Sequence, residues 1–361
     1  MSEAPVLVRR EGALARLTLN RPQALHALDL EMVAIMTAAL LEWRTDPTVG
    51  AVLIDHAGPR GFCAGGDIRM LAESGQGDGS AARAFFHAEY RLNHLLHAYP
   101  RPVVALMDGV TMGGGVGISV HGRFRIATDR TTFAMPETGI GLFPDVGGGW
   151  FLPRLPGETG TWLALTGTRL KAADCIEAGV ATHYVPDELV GAVRAQIAGA
   201  ASSHDPAATL ASGLDALDEP AGRLVELAPA NRAVIDRCFA GDTVEAILAA
   251  LEADGSEFAA RQLALLATKS PQTLKVALRQ LRAGRAMDSF AEVMAMEYRI
   301  GARVVHRHDF REGVRAVIID KDNAPDWSPA TVGAVDEALL DGIFAPLAPD
   351  LPEWTPLPEL A

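Results

Sequence analysis

The feature that most constrains this sequence is a pair of glycine-rich segments, each of which follows a short aliphatic run. The runs are Gly50–Asp55 and Pro102–Met107, and the glycine-rich segments are Gly61–Asp67 and Gly109–Gly117. Such runs are typical of strands that a parallel sheet buries on both faces, and ligands usually bind at the loops after them. The pattern predicts an α/β fold with a mostly parallel sheet in repeated ββα units, and a candidate site at the glycine-rich turns.

Both glycine-rich segments are predicted to be turns between a strand and a helix. Glycine lets backbone N–H groups point at one oxygen without a side-chain clash, and the start of a helix adds a favourable dipole. Two such turns together can form an oxyanion hole, which stabilises an oxygen that gains negative charge during a reaction. The alternative is that each turn only joins a strand to a helix, which is the commoner role of a single glycine-rich turn.

A third segment, residues 133–149, places two carboxylates in an apolar loop. Glu137 and Asp145 lie in it, and four residues interrupt any regular helix: Pro136, Gly139, Gly141 and Pro144. Carboxylates held near each other in apolar surroundings have shifted pKa values, as a general base or a nucleophile requires. The alternative is a pair of capping or solvent-facing acids. Both interpretations stay open on these residues alone.

Glu89 is a separate candidate because of its position on a predicted helix, Ser80–Tyr99. At about 100° per residue it falls within about 40° of the apolar stripe formed by Phe85, Leu92 and Leu96. A carboxylate on a buried helix face is costly unless it is hydrogen-bonded. Glu89 is therefore predicted to be either a satisfied structural acid or a substrate contact.

For Cys63 and for three histidines, a structural explanation is favoured over a catalytic or metal-binding role. Cys63 has no histidine in its local motif, so a small packed thiol is the favoured interpretation. Three histidines of the predicted helix fall on the face opposite the apolar stripe, where we expect solvent and no metal site: His87, His94 and His97.

Charge and cysteine content limit the partners and the compartment. The chain has 361 residues, a formal net charge of −13 and three widely spaced cysteines. The acidic balance argues against nucleic acid and anionic membranes as partners, and an odd cysteine count is typical of reduced thiols in the cytosol. Residues 1–10 contain neither an apolar signal core nor an Arg-rich presequence, and no later run is suited to spanning a membrane. We therefore expect a cytoplasmic protein.

The remaining pattern predicts further elements. Val6–Asn20 is typical of a β-hairpin, and Asp29 precedes a helical stripe as an N-cap would. We predict a helix at Thr166–Gly179 before the last strand. The rest of the chain is predicted to be helical, with Asp242 as the cap of a helix that ends near Asp254.

Several strings of this sequence resemble the crotonase (enoyl-CoA hydratase/isomerase) superfamily and, within it, the 3-hydroxyisobutyryl-CoA hydrolases of valine breakdown. The resemblance runs from Leu14 to about Trp327. Its most specific strings are FCAGGDIR (62–69), GVTMGGGVGISVHG (109–122), FAMPETGIGLFPDVGGGWFLPRL (133–155) and HDFREGVRAVIIDKD (308–322). In the third string both acids and the glycines and prolines between them stand at the hydrolase spacing.

The resemblance implies a crotonase (ClpP-like) fold, with residues 1–200 as the core and residues 201–361 as a helical insertion and C-terminal region completing the same catalytic unit. It implies that the backbone N–H groups of Gly66 and Gly114 bind a thioester carbonyl. It also implies that Glu89 contacts the substrate and that Glu137 and Asp145 are the reacting carboxylates. The expected partner is an acyl-CoA substrate, with no cofactor and no metal.

One departure separates the members of this superfamily. Its hydratases carry a catalytic Glu three residues after the second oxyanion glycine, and this chain has Gly117 there. Glycine cannot transfer a proton, so cleavage of a short branched 3-hydroxyacyl-CoA thioester is favoured over hydration of a double bond. An enoyl-CoA hydratase or isomerase and a non-catalytic CoA-binding protein remain the alternatives, and homo-oligomerisation is left open.

Overall fold

The computed structural model describes residues 4–59 and 61–360. A six-stranded sheet lies at the centre of this part of the chain, with a separate two-stranded sheet beside it. The strands are β1 (Val6–Glu11), β2 (Leu14–Leu19), β3 (Ala51–His56), β4 (Val103–Met107), β5 (Val110–Met112), β6 (Phe124–Ala127), β7 (Thr132–Ala134) and β8 (His183–Tyr184). The larger sheet has the order β1-β2-β3-β4-β6-β8, and β5 pairs with β7.

Sixteen α-helices surround the sheets in the described residues. They are α1 (Leu30–Thr45), α2 (Ile68–Gly75), α3 (Ser80–His97), α4 (Gly114–Gly117), α5 (Gly148–Phe151), α6 (Thr159–Thr166), α7 (Ala172–Glu177), α8 (Val190–Ala201), α9 (Pro206–Asp215), α10 (Pro229–Cys238), α11 (Val244–Asp254), α12 (Glu257–Leu266), α13 (Pro271–Ala286), α14 (Phe290–Val304), α15 (His308–Val314) and α16 (Glu337–Phe344). Short 3₁₀ turns lie between some of them, and one of these is Glu137–Ile140.

Five of the eight strands, β1 to β4 and β8, form where the sequence predicts strands, whereas β5, β6 and β7 were not predicted. β1 and β2 are an antiparallel hairpin in which Val6 lies opposite Leu19, and Gly12 supplies the left-handed backbone of the turn with a φ of 64°. From β2 onward each pairing of the larger sheet is parallel. β3 and β4 are buried along their whole length, which confirms the two aliphatic runs as inner strands of a parallel sheet.

Helices cover both faces of the larger sheet, because side chains of each strand point alternately to the two sides. On one face, strand residues pack in one hydrophobic cluster with residues of α8 and α9: Leu53, Val104, Leu106, Val193, Ile197 and Leu210. On the other face, strand residues pack in a larger cluster with residues of α1 and α3: Leu17, Ile54, Ala105, Leu40 and Leu92. Asp29 caps α1 as predicted, since its side chain accepts a hydrogen bond from the Met32 backbone N–H.

The C-terminal helices extend the larger cluster. α14 packs against α3, and α13 packs against α5. Ile300 and Ile343 belong to the same hydrophobic cluster as Leu17 and Ile54 of the sheet. Apolar packing is therefore continuous between residues 1–200 and residues 201–361. The division of the chain at residue 200 stays a prediction.

Two predicted helix boundaries are wrong. The helix predicted at Thr166–Gly179 is present only as the shorter α7, because α6 ends at Thr166, Gly167 takes a left-handed backbone conformation after it, and residues 167–171 are not helical. The predicted cap Asp242 is not the N-cap of α11. Thr243 is, and its hydroxyl accepts a hydrogen bond from the Ala246 backbone N–H at 3.1 Å.

None of the helices in residues 4–59 and 61–360 combines the length and the apolar character that crossing a membrane would require.

The carboxylate of Asp55, which is fully buried at the end of β3, joins three elements. It accepts hydrogen bonds from Arg16 at 2.7 Å and Thr18 at 2.8 Å, both on β2, and from Arg194 on α8 at 3.2 Å. Removal of one charge from a buried ion pair leaves the charges of its partners uncompensated.

Asp55→Asn should therefore destabilise the fold by about 2–3 kcal/mol, at the lower end for a buried pair because both arginines are partly exposed. Denaturant unfolding of the variant checks this value. Glu257→Gln is the control, because its pair with Arg261 is exposed and exposed pairs contribute little. Equal losses in the two variants would contradict the prediction.

Candidate active site

The two glycine-rich turns lie against each other. The backbone N–H of Cys63 donates to the Val110 carbonyl at 2.8 Å, and that of Met112 donates to the Cys63 carbonyl at 3.0 Å. Beyond this pairing the turns carry Gly66 and Gly114. Neither of these backbone N–H groups has a hydrogen-bond partner among the residues that the structure describes. Two unpaired donors are thus presented by neighbouring turns, as an oxyanion hole requires.

The second turn is in contact with two carboxyl groups, and this contact requires glycine. A Cβ atom placed on Gly114 would lie 2.6 Å from Oε1 of Glu89, and a Cβ atom placed on Gly113 would lie 3.2 Å from Oε1 of Glu137. Any larger residue at position 114 would displace the Glu89 carboxyl group. Because Gly113 and Gly114 have no side chains, the carboxyl groups of Glu137 and Glu89 can lie close to the unpaired N–H groups.

These residues line a small, partly open cavity of about 70 Å³. All five residues that the sequence singled out line it: Gly66, Glu89, Gly114, Glu137 and Asp145. The rest of its wall is largely apolar and includes Leu71, Phe85, Phe86, Ile140 and Leu142. At about 10–15 Å³ for each water-sized probe, the cavity has room for a small chemical group and not for a whole cofactor.

Glu137 lies at the start of the 3₁₀ turn Glu137–Ile140, and neighbouring elements hold this turn. The Thr138 hydroxyl donates to the Leu165 carbonyl at 3.1 Å, and the Ser270 backbone N–H donates to the Thr138 carbonyl at 3.1 Å. Glu137 is 4% exposed, and its Oε2 atom has no hydrogen-bond partner in the described residues. Burial, and after it the charge of Asp145, raise the pKa of Glu137 well above the usual carboxyl range.

Asp145 has one direct partner that was not predicted. The hydroxyl of Tyr90 on α3 donates to its Oδ2 atom at 2.9 Å, and both residues are buried. Burial raises the pKa of Asp145 to about 7, although the Tyr90 hydrogen bond opposes this rise. Asp145 can therefore change protonation state near neutral pH.

Glu89 is buried on α3, as its helical position predicts, and is 2% exposed. Its Oε1 atom has no hydrogen-bond partner in the described part of the chain. Burial and then the charge of Asp145 raise the pKa of Glu89 well above its usual range. A buried carboxyl oxygen without a partner indicates a group that a bound ligand can satisfy.

The residues predicted from the sequence differ in the chemistry that their surroundings favour. Three acids with raised pKa values face two unpaired N–H donors in one cavity, an arrangement suited to chemistry at a carbonyl group. Cys63 is fully buried, and burial raises the pKa of its thiol to about 12, which is unfavourable for a nucleophilic thiolate. The individual roles of the five site residues stay predictions.

Three further residues contact residues 144–149, here called the Asp145 turn, and were missed by the sequence interpretation: Gln280, Glu297 and His121. Glu297 could have been found, because it is spaced with Val293, Ile300 and Val304 on the apolar stripe of α14. The hydrogen bonds of Gln280 and His121 to this turn join segments far apart in sequence. No local signal indicates such contacts.

The three histidines of α3 are not equivalent, and the placement of His94 on a wet face is wrong. His94 is buried because the rings of Phe290 and Trp354 pack against it at 6.0 and 5.9 Å between centroids. In residues 4–59 and 61–360, no group of three or more His, Cys, Asp or Glu side chains is arranged to hold a metal ion. That no metal takes part in the reaction stays a prediction.

Comparison with known proteins assigns the chain to a family. It belongs to the enoyl-CoA hydratase/isomerase family, whose family model matches residues 14–344. A relative from Danio rerio, named 3-hydroxyisobutyryl-CoA hydrolase, mitochondrial, is 46% identical over 345 residues, which cover 95% of this chain and 90% of that protein. A relative of the same name from Xenopus laevis is 45% identical over 342 residues, covering 94% and 89%.

A solved structure supports the same assignment at the level of the fold. The crystal structure of a carnitinyl-CoA dehydratase from Mycobacterium thermoresistibile matches with a TM-score of 0.89 and 40% sequence identity, covering 98% of this chain and 99% of that one. The predicted superfamily and the predicted crotonase fold are confirmed.

The prediction of a cytoplasmic protein is contradicted by these relatives, because both are named as mitochondrial proteins. The prediction depended partly on reduced cysteines. The three cysteines are indeed free and buried, but reduced thiols indicate a reducing environment without identifying which compartment provides it.

Glu137→Gln should stabilise the fold at neutral pH, with a gain that grows as the pH rises above the unfolded pKa of about 4.3. Because the folded pKa of Glu137 is raised, the stability that its carboxyl contributes is fully present below the unfolded pKa of about 4.3 and is lost as the pH rises towards the folded pKa. Glutamine does not titrate and escapes this loss. Unfolding midpoints of both proteins across the pH range measure the difference, and a variant less stable than wild type at pH 8 would contradict it.

Proposed function

We propose that this protein hydrolyses 3-hydroxyisobutyryl-CoA to the free acid and coenzyme A, as a step of valine breakdown. The observation that carries the proposal is the contact of the Glu137 and Glu89 carboxyl groups with the turn that presents the unpaired Gly114 N–H. The relatives' printed name supports the choice of substrate. The cavity of about 70 Å³ suits a short acyl group, with the coenzyme A half outside it.

The two unpaired backbone donors are proposed to act on the thioester carbonyl. When a nucleophile adds to the carbonyl carbon, its oxygen gains negative charge, and the N–H groups of Gly66 and Gly114 stabilise that charge without reorganisation. Donors of this kind contribute most where water is excluded, and the surrounding wall is largely apolar.

Glu137 is the proposed reacting carboxylate, by one of two routes. In the first, a Glu137 oxygen bonds to the carbonyl carbon, the C–S bond breaks, the thiolate leaves and takes up a proton, and water then hydrolyses the mixed anhydride. In the second, Glu137 accepts a proton from water as the water oxygen bonds to the carbonyl carbon, and the C–S bond then breaks. Both routes use only carboxylates, backbone N–H groups and water, so the proposal needs no cofactor.

Asp145 and Glu89 are proposed to bind the 3-hydroxyl group of the substrate or to orient the water. Both acids line the cavity, and the unpartnered Oε1 atom of Glu89 can accept a hydrogen bond from a hydroxyl. An apolar acyl group would leave this oxygen unsatisfied. Selection of a hydroxylated substrate follows from that cost.

The packing at Gly117 argues against the hydration chemistry named for the solved dehydratase. A Cβ atom at this position would lie 2.6 Å from Cβ of Val146 and 2.8 Å from Nδ2 of Asn93. The position where the superfamily's hydratases carry their Glu therefore has no room for a side chain. A second acid cannot enter the cavity from α4 without displacement of its neighbours.

Glu137→Gln should lower kcat by at least about 100-fold, because an amide is a very poor nucleophile and base. Affinity for a non-hydrolysable thioether analogue should stay within about twofold, since the amide keeps the size of the carboxyl group. Thiol release and calorimetric binding measure the two quantities. Near-normal kcat would assign Glu137 a structural role.

A single turnover of the wild type in ¹⁸O-labelled water separates the two routes. Entry of ¹⁸O into the Glu137 carboxyl group would require the anhydride route.

The wild type should prefer 3-hydroxyisobutyryl-CoA to isobutyryl-CoA by about 10²–10⁴-fold in kcat/KM. The physical reason is the unsatisfied Glu89 oxygen that an unhydroxylated acyl group leaves in the cavity. Glu89→Leu, which removes this oxygen, should reduce the preference. Equal turnover of the two esters by the wild type would refute the proposed selection.

A further inference from the structure

The backbone on both sides of Asp145 is held by side chains from distant segments. The Pro144 carbonyl accepts a hydrogen bond from Gln280 Nε2 on α13 at 2.7 Å. The Gly147 and Gly149 backbone N–H groups each donate to the carboxylate of Glu297 on α14 at 2.8 Å. These bonds enclose the single residue whose carboxyl lines the cavity from this turn.

The Asp145 turn has a conformation that it would not adopt without support. Val146 has a φ of 52°, which is the left-handed region and unfavourable for a β-branched residue. Such strained conformations persist only where surrounding contacts determine them, and they concentrate at functional sites. One contact is a 2.8 Å hydrogen bond between the Val146 carbonyl and Nε2 of His121. The close packing of Val146 against Gly117 is another.

Glu297 is the central group of this support. It is fully buried and accepts three hydrogen bonds, two from the turn and one from Gln280 Nε2 at 3.0 Å. The same Gln280 nitrogen thus connects Glu297 to the Pro144 carbonyl. Burial raises the pKa of Glu297 to about 8, while the two backbone hydrogen bonds oppose the rise. Glu297 is not part of the cavity wall.

We propose that Glu297, together with Gln280, is a positioning pair that holds the Asp145 turn in its strained conformation and so directs the Asp145 carboxyl into the cavity and towards Tyr90. This inference rests on the proposed thioester hydrolysis. Neither residue touches the reacting atoms. Their effect on the reaction passes through Asp145, because a displacement of about 1 Å at a reacting group can lower the rate by about 100-fold.

The chain provides a matched control in Asp174, a second buried carboxylate that holds a backbone turn. Asp174 is 1% exposed and accepts hydrogen bonds from the backbone N–H groups of Val225, Glu226 and Leu227. It lies outside the cavity wall. Asp174→Asn and Glu297→Gln therefore make the same chemical change at a remote turn and at the Asp145 turn.

In Glu297→Gln, one acceptor oxygen becomes an NH₂ group that faces a backbone N–H, so one of the two anchors is lost. We expect kcat for 3-hydroxyisobutyryl-CoA to fall by about tenfold or more while KM stays within about twofold. Asp174→Asn should lower the thermal midpoint by a similar amount and leave kcat unchanged. The assays are thiol release and thermal unfolding of the full chain.

If Glu297→Gln loses thermal stability like the control but keeps its kcat, Glu297 is only structural and the inference is overturned. Should that variant fail to fold, Gln280→Met removes the donor to Pro144 and leaves Glu297 in place. It should lower kcat by at least about threefold at constant KM, and unchanged kcat would again overturn the inference. Absence of turnover by the wild type with any acyl-CoA would instead refute the proposed function.

Discussion

The structure around the site depends on the direct pairing of two glycine-rich turns. Hydrogen bonds between Cys63, Val110 and Met112 bring the ends of two strand-to-helix connections together. Only then do the unpaired N–H groups of Gly66 and Gly114 belong to one site, and only glycine leaves space for Glu89 beside Gly114. The larger sheet supports this pairing, because β3 and β4 are parallel neighbours and place the segments that follow them at the same edge.

The cost of this arrangement is the burial of several acids, none of which forms a salt bridge with a residue that the structure describes. Glu89, Glu137 and Asp145 have raised pKa values chiefly because burial disfavours their charged forms. Such groups reduce stability at neutral pH, yet a raised pKa also gives a carboxylate the basicity that carbonyl chemistry needs. Asp55 shows the contrasting structural case, since two arginines and a threonine satisfy its buried carboxylate. The difference in partners separates the three acids of the cavity from a stabilising one.

Local patterns predicted much of the fold, the two glycine-rich turns and the three candidate acids, whereas Gly66 and Gly114 were singled out only by the family resemblance. Continuous aliphatic runs identified β3 and β4, and helical spacing identified the buried position of Glu89. The same count of positions would have identified Glu297 on α14 but not its partners. The Tyr90 hydroxyl that reaches Asp145 and the burial of His94 could not be predicted, because each depends on which distant segment packs against α3.

The sequence by itself determined the parallel sheet, the two glycine turns and the acids of the Glu137 loop, since periodicity, glycine placement and proline placement act over a few residues. The tertiary structure alone decided that the two turns and the acids share one cavity and that the Asp145 turn is held in a left-handed conformation at Val146. The physical reason is that hydrogen bonds from Gln280 and Glu297, more than 130 residues away, enforce that conformation. Contacts over such separations leave no periodic trace in the chain that forms them.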